Sequence, residues 1–156
     1  MKVIYTNGDT KHSKWEKFLC WLYLKREDGY QLREATESRY GTAGQLCVLW
    51  LFLPVIFIQE KYREDKGLLA HEVCHYEQWK KNWLCHTIWY ATDCAYRLGC
   101  ELEAYTEQLV VNGSRQHMEL YAKFIHSNYG FNVDLEVIEY MLAVRYSKCL
   151  TQLDLS

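Results

Sequence analysis

Residues 68–78 read LLAHEVCHYEQ, and this stretch decides how the rest of the chain is interpreted. It begins with apolar residues and contains neither Gly nor Pro, so it predicts an uninterrupted helix. His71 and His75 are four residues apart, which places both imidazoles on one face of that helix, one turn apart. One ion can then bind a nitrogen from each at the bond length of about 2.0–2.1 Å that zinc prefers.

Glu72 directly follows the first of these histidines and would project near the same ion without ligating it. There it can hold and deprotonate a water molecule, whose pKa the metal lowers to about 7. His-Glu-x-x-His is the pattern of zinc metallopeptidases. Because the pattern defines only three positions, the alternative is that both histidines are ordinary residues of a metal-free helical interaction domain.

A catalytic zinc ion needs three protein ligands and one open position, so a third ligand must come from another part of the chain. His86 is one candidate, eleven residues beyond His75. The metzincin spacing does not fit it, because that spacing requires Gly and His where Gln78 and Lys81 stand.

Two acidic residues are further candidates for the third ligand. Asp93 lacks the neighbouring residues of the aspartate-ligated zincins. Glu101 fits better, because the 25 residues between His75 and Glu101 are enough to finish one helix, turn at residues 82–83 and run a second helix back. We therefore expect Glu101 to complete the site with His71 and His75, a set of two histidines and one glutamate.

Two segments resemble a known family. Residues 69–78 resemble the His-Glu-x-x-His-x-x-Gln helix of small phage and bacterial zinc peptidases, the minigluzincins and related short domains. Residues 96–105, which read YRLGCELEAY, resemble the Glu-x-x-Ala helix of the same group. The likeness covers roughly residues 68–108.

This resemblance implies a zinc ion held by His71, His75 and Glu101, with Glu72 as the general base of peptide hydrolysis. It also implies that residues 46–58 form an edge strand lying over the metal helix. An extended peptide substrate could pair with such a strand by strand addition.

Glu103 is an alternative third ligand. On a helix, Glu101 and Glu103 face roughly opposite ways, so only one of them can reach the ion. Glu107 lies four residues after Glu103, a spacing similar to the paired acidic residues of larger gluzincins. Ala104 favours Glu101 instead, since it completes the Glu-x-x-Ala pattern.

Three further residues have two interpretations each. Gln78 lies one turn beyond His75 and either orients that ligand or simply bonds to nearby backbone. Tyr105 and Tyr96 are the tyrosines nearest in sequence to Glu101. Each of them either stabilises an oxyanion or packs in the core.

The apolar pattern predicts an α+β protein that is mainly α, a single zincin-like domain over residues 1–156. Residues 46–58 are continuously apolar and predict one or two strands, because Pro54 would break a helix and residues 55–58 are strongly β-prone. Gly99 is expected to end the fourth predicted helix. The predicted helices cover residues 14–25, 31–40, 68–82, 84–98, 101–111, 115–126 and 133–148.

Composition restricts the location and the partners. The net charge is −2 with acids and bases interspersed, so no basic stripe favours nucleic acid. The run at residues 46–58 is shorter than the roughly 20 residues of a bilayer span, and the N-terminus turns polar too early for a secretion signal. Seven cysteines without CxxC spacing favour a reducing compartment. We therefore expect a cytoplasmic protein without membrane association.

The predicted function is that of a zinc metalloprotease, a hydrolase of peptide or protein substrates. A second hypothesis keeps the zinc but not the catalysis. In it, the metal stabilises a binding or inhibitory effector that acts on another protein.

Overall fold

The computed structural model describes residues 1–6, 13–24, 44–49 and 53–154, and these ranges are mainly helical with one small sheet. The predicted α+β, mainly α class is therefore confirmed. The strands are β1 (Lys2–Thr6), β2 (Gly44–Leu49) and β3 (Leu53–Gln59), and a short 3-10 helix (Glu60–Tyr62) follows. The helices are α1 (Lys14–Leu24), α2 (Lys66–Thr92), α3 (Cys94–Asn112), α4 (Arg115–Asn128) and α5 (Leu135–Leu153).

The sheet has the order β1-β3-β2, so β3 is its central strand. β1 runs parallel to β3, and β2 runs antiparallel to it, with Leu46 opposite Ile56. The apolar segment 46–58 thus supplies two of the three strands. Pro54 lies inside β3 as its second residue rather than between the strands, a place near a strand start where proline is tolerated.

β1 was not among the predicted strands. It is only five residues long, and it pairs with a strand more than fifty residues away along the chain. The sequence of such a short segment gives little indication of a strand, because the strand is stabilised by its parallel pairing with β3 and not by an alternating pattern of its own.

The sheet packs on the N-terminal half of α2, the half that carries the histidine motif. Ile56 and Ile58 of β3 form a buried cluster with Leu68. Val73 and Tyr76 of α2 contact the same cluster from positions beside the two histidines. The sheet therefore holds the motif-bearing turns of α2 against the rest of the protein.

α2 is longer than predicted, and the expected turn at residues 82–83 is a kink. Trp83 has a φ of 38° and a ψ of −112°, which interrupts the helical geometry without ending the helix. At the other end, Asp65 caps α2 by accepting a hydrogen bond from the backbone N–H of Leu68 at 2.9 Å. α2 is therefore two helical segments joined at Trp83.

The predicted boundary at Gly99 is wrong. α2 ends at Thr92, and the next residue, Asp93, has an extended backbone. The Asp93 side chain accepts hydrogen bonds from the N–H groups of Ala95 and Tyr96 at the start of α3. Gly99 lies within α3. A glycine inside a helix costs only about 0.5–1 kcal/mol, so the cap at Asp93 and the packing of α3 outweigh it.

α3, α4 and α5 enclose a second apolar cluster. Leu102, Leu109, Ile125, Ile138 and Leu142 are fully buried in it. The predicted helices at 14–25, 115–126 and 133–148 are confirmed, and no end differs from the prediction by more than five residues. The predicted helix at 31–40 falls outside the described residues.

Within the described residues, no helix combines the length and the apolar composition that crossing a bilayer requires.

Candidate metal centre

α2 and α3 bring His71, His75 and Glu101 together, and this trio, which we call the metal group, could hold a metal ion. The two Nε2 atoms of the histidines are 3.1 Å apart. Oε1 of Glu101 lies 3.5 Å from Nε2 of His75, and Oε2 of Glu101 lies 3.9 Å from Nε2 of His71. Each residue therefore directs one donor atom to a common point.

These separations suit a small tetrahedral ion. Two ligands on a zinc ion with bonds of about 2.0–2.1 Å lie about 3.3 Å from each other. The carboxylate has no solvent exposure, and within the described residues its Oε2 atom makes no hydrogen bond of normal geometry. A buried carboxylate that lacks a full set of partners is costly, and a cation between Glu101 and the two imidazoles would remove that cost.

Nδ1 of His75 lies 2.9 Å from Oε1 of Gln78, an oxygen that can only accept a hydrogen bond. This contact therefore places the proton of neutral His75 on Nδ1 and leaves Nε2 with its lone pair toward the metal group. The expectation that Gln78 orients His75 agrees with this geometry.

The amide nitrogen of Gln78 is also bonded. It donates to the backbone oxygen of Cys100 at 3.0 Å and to Oε2 of Glu103 at 2.9 Å. Both interpretations of Gln78 therefore apply, since one end of the amide faces the ligand and the other faces the backbone of α3.

His71 is suited to bind a metal in its neutral form. Burial lowers the pKa of His71 well below its usual value, and the nearby His75 lowers it further. The Gln108 side chain partly opposes this shift, although Nδ1 of His71 has no hydrogen bond of normal geometry within the described residues. The neutral imidazole that results is the ligating form.

Glu101, and not Glu103, belongs to the metal group. The Glu101 side chain is fully buried, whereas Glu103 is exposed and bonds to Gln78. The opposite faces expected for these two residues are thus seen directly.

The other two candidates for the third ligand have different contacts. Nδ1 of His86 lies 2.9 Å from the hydroxyl of Tyr96. Asp93 caps α3. Neither joins the metal group.

Glu72 lies beside the metal group with 5% of its surface exposed. Burial raises the pKa of Tyr90 and of Tyr105, and the negative charges of Glu101 and Glu72 add to both shifts. A general base must lie close to the water that it deprotonates, and Glu72 directly follows the candidate ligand His71 on α2.

Tyrosines surround the carboxylate of Glu101, and sequence reasoning named only one of them. The hydroxyl of Tyr90 donates a short hydrogen bond to Oε1 of Glu101. Tyr129, which follows α4, is partly buried, and its desolvation raises its pKa, with the negative charge of Glu101 adding to the shift. Neither residue was predicted, because both lie outside the two motifs and their proximity depends on how the helices pack.

Of the two tyrosines that were predicted, only one is at the site. The Tyr105 ring lies edge-on to His71 with 4.4 Å between ring centroids. Tyr96 instead accepts a hydrogen bond from Asn82 and contacts His86.

A cavity of about 650 Å³ is lined in part by Gln78, which also contacts His75. Its wall includes Cys74, Cys100, Glu103 and Arg145, together with Gln78 itself. His71, Glu72 and Glu101 do not line it, so this cavity is separate from the candidate metal centre.

Comparisons with protein-family models, with curated proteins and with solved structures found no match for this chain.

Proposed function

We propose that this protein is a zinc-dependent peptidase of the gluzincin type. The observation that carries the proposal is the convergence of His71, His75 and Glu101, with Glu72 beside them. Two histidines and one glutamate are a donor set of catalytic zinc sites, which keep a fourth position open. Zinc is the proposed cofactor, because two imidazoles and one carboxylate suit it, and no thiol of the described residues joins the metal group.

When bound, the ion would supply a Lewis acid that polarises the scissile carbonyl and lowers the pKa of water. The residues of the chain would supply the rest. Glu72 would accept a proton from the attacking water and pass it to the leaving amine. Gln78 would keep the donor nitrogen of His75 directed at the ion throughout.

The sheet offers a means of holding an extended peptide. β2 is an edge strand beside α2, and within the described residues its outer side has no strand partner. A peptide could add to that edge through main-chain hydrogen bonds, which favours protein or peptide substrates over small molecules.

The test of this function is a Glu72→Gln variant. We expect it to keep the zinc content of the wild type and to lose hydrolysis of a denatured protein substrate, since the amide cannot accept the proton. Glu77→Gln changes an exposed residue of the same helix and should leave both properties intact. Hydrolysis by Glu72→Gln at the wild-type rate would refute the assigned mechanism.

A second function, a zinc-stabilised binding or inhibitory protein, is favoured by one observation. His71 and Glu72 are each only 5% exposed, and Glu101 is fully buried with Tyr90 bonded to it. A closed site of this kind stabilises a fold without admitting a substrate. Wild-type protein that carries zinc but cleaves no substrate, with or without chelator, would support this second function.

A further inference from the structure

Among the described residues, the metal group is largely enclosed, with 12% or less of each of its side chains exposed, so movement of one of the described walls would ease the entry of an ion or a substrate. The sheet side of α2 is held by the buried cluster of Ile56, Ile58 and Leu68. The α3 side is held by the fully buried apolar cluster that it forms with α4 and α5. Moving either wall would expose apolar core, which makes both of them poor candidates for motion.

The remaining wall is the second segment of α2, residues 84–92. Among the residues of this segment whose burial is described, only His86 is buried, and Tyr90 is half-buried. The others are exposed, including Ile88 at 62% and Trp89 at 44%. This segment therefore contributes little to the apolar core.

Polar bonds hold the inner face of the segment in place. Tyr90 donates to the carboxylate of Glu101, and the backbone oxygen of Tyr90 accepts a hydrogen bond from Arg97 at 3.3 Å. His86 contacts the hydroxyl of Tyr96. Water can replace bonds of this kind when they break, so opening costs less here than at an apolar contact.

Both ends of the segment leave helical geometry. Trp83 has positive φ, a conformation that side chains larger than glycine rarely adopt. Asp93 is extended, with φ of −109° and ψ of 106°. Rotations at these two residues would move the segment without unwinding the motif-bearing turns of α2.

We propose that residues 84–92 are a cap over the metal group, hinged at Trp83 and Asp93 and latched by the hydrogen bond from Tyr90 to Glu101. In the closed state the latch occupies one carboxylate oxygen and shields the site. Opening releases Glu101 and admits the ion. This inference rests on the proposed metal site but not on peptidase activity.

Hydrogen exchange of the metal-free protein tests the cap directly. In a Tyr90→Phe variant, which keeps the ring and removes the hydroxyl, amides of residues 84–92 should exchange about 10-fold faster, as loss of a hydrogen bond to a charged group implies. Amides of residues 66–82 should not change. Tyr140→Phe makes the same chemical change at an exposed site on α5 and should have no effect. Unchanged exchange at 84–92, or an equal rise at 66–82, would overturn the cap.

Zinc exchange kinetics separate a latch from a residue that only positions the ligand. A latch predicts that Tyr90→Phe speeds both zinc uptake and zinc release to a chelator, each by roughly 10-fold when a hydrogen bond to a charged group is lost. Tyr96→Phe should also speed both, because it removes the anchor of His86 without touching Glu101. If only release became faster, or if Tyr96→Phe had no effect, the cap would be refuted. A wild-type protein that binds no zinc would refute the metal site, while the exchange experiment would still decide the cap.

Discussion

Nδ1 of His75 and Oε1 of Gln78 lie 2.9 Å apart, and this contact determines which nitrogen of His75 is available to a metal ion. The amide oxygen only accepts hydrogen bonds, so it selects the tautomer that carries its proton on Nδ1. The same amide is anchored at its nitrogen by the backbone of Cys100 and by Glu103. Gln78 thus joins α2 to α3 at the point where the metal group is assembled.

Replacing Gln78 with alanine should weaken zinc binding by about 10–100-fold, the usual cost of losing a residue that orients a ligand. The measurement is competition for zinc with a chromophoric chelator. Gln116→Ala, an exposed position on α4, is the matched control. An unchanged affinity in Gln78→Ala would show that the tautomer of His75 is set in another way.

Glu101→Gln and Glu103→Gln form a second matched pair. A neutral amide is a poorer zinc ligand than a carboxylate, so Glu101→Gln should lose more affinity than Gln78→Ala does. Glu103→Gln removes a charge outside the metal group but keeps an oxygen that can accept the hydrogen bond from Gln78, so it should bind zinc nearly as the wild type does.

Thermal melting gives an independent readout of this pair. Zinc should raise the Tm of the wild type and of Glu103→Gln, because a ligand that binds only the folded state stabilises it. It should leave the Tm of Glu101→Gln nearly unchanged. If zinc instead raised the Tm of Glu101→Gln and left that of Glu103→Gln unchanged, Glu103 would be identified as the ligand.

The cysteines should differ sharply in reactivity. Burial raises the pKa of Cys74 to about 12 and that of Cys100 to about 11, and nearby glutamates add to both shifts. Both thiols are acids with raised pKa values, so they stay neutral and unreactive below about pH 10, and the thiolate needed for alkylation is scarce. Cys85 and Cys94 are exposed.

Iodoacetamide at pH 8 should therefore alkylate Cys85 and Cys94 before Cys74 and Cys100, which should stay protected until the protein is unfolded. Mass spectrometry of the digested protein identifies the modified positions. Rapid alkylation of Cys74 in the folded protein would mean that its thiol is accessible and ionised, contrary to this structure.

Substitution by alanine should have opposite effects on protein stability at two of the glycines. A Cβ at Gly67 would overlap the side chain of Asn112, which donates to Asp65 at 3.3 Å and to Tyr121 at 3.1 Å. Overpacking of this kind costs about 1–3 kcal/mol, so Gly67→Ala should lower the free energy of unfolding by that amount.

Gly99 is the glycine at which substitution by alanine should stabilise the protein. A Cβ there would meet no atom within 4 Å, and the residue lies within α3. Gly99→Ala should raise the free energy of unfolding by about 0.5–1 kcal/mol. Urea titration of both variants checks the pair, and equal effects would contradict the packing seen around Gly67.

The confirmed predictions depend on local periodicity and on the spacing of residues along the chain. His71 and His75 had to share a face once their stretch was helical, because the period of an α-helix places residues four apart on the same side. The opposite orientations of Glu101 and Glu103 follow from the same geometry. The expectation that Glu101 lies near the histidines required only that the segment between them be long enough to form a turn and a second, returning helix.

The prediction that failed concerns a helix boundary. Gly99 was expected to end a helix, yet the break lies at Asp93, because a side-chain cap at Asp93 competes successfully with a weak local preference. The packing of α3 also outweighs the low intrinsic helix preference of Gly99.

By itself, the sequence determined the helical face that presents two histidines and the class of the fold, and it favoured Glu101 over Glu103 as the acidic partner. These features depend on the period of the helix and on chain length, which are local properties. Only the tertiary structure decided that Tyr90 bonds to Glu101, that Gln78 spans both helices and that β1 pairs with β3. Those contacts join residues by packing across separate elements, and no short-range pattern in the chain encodes them.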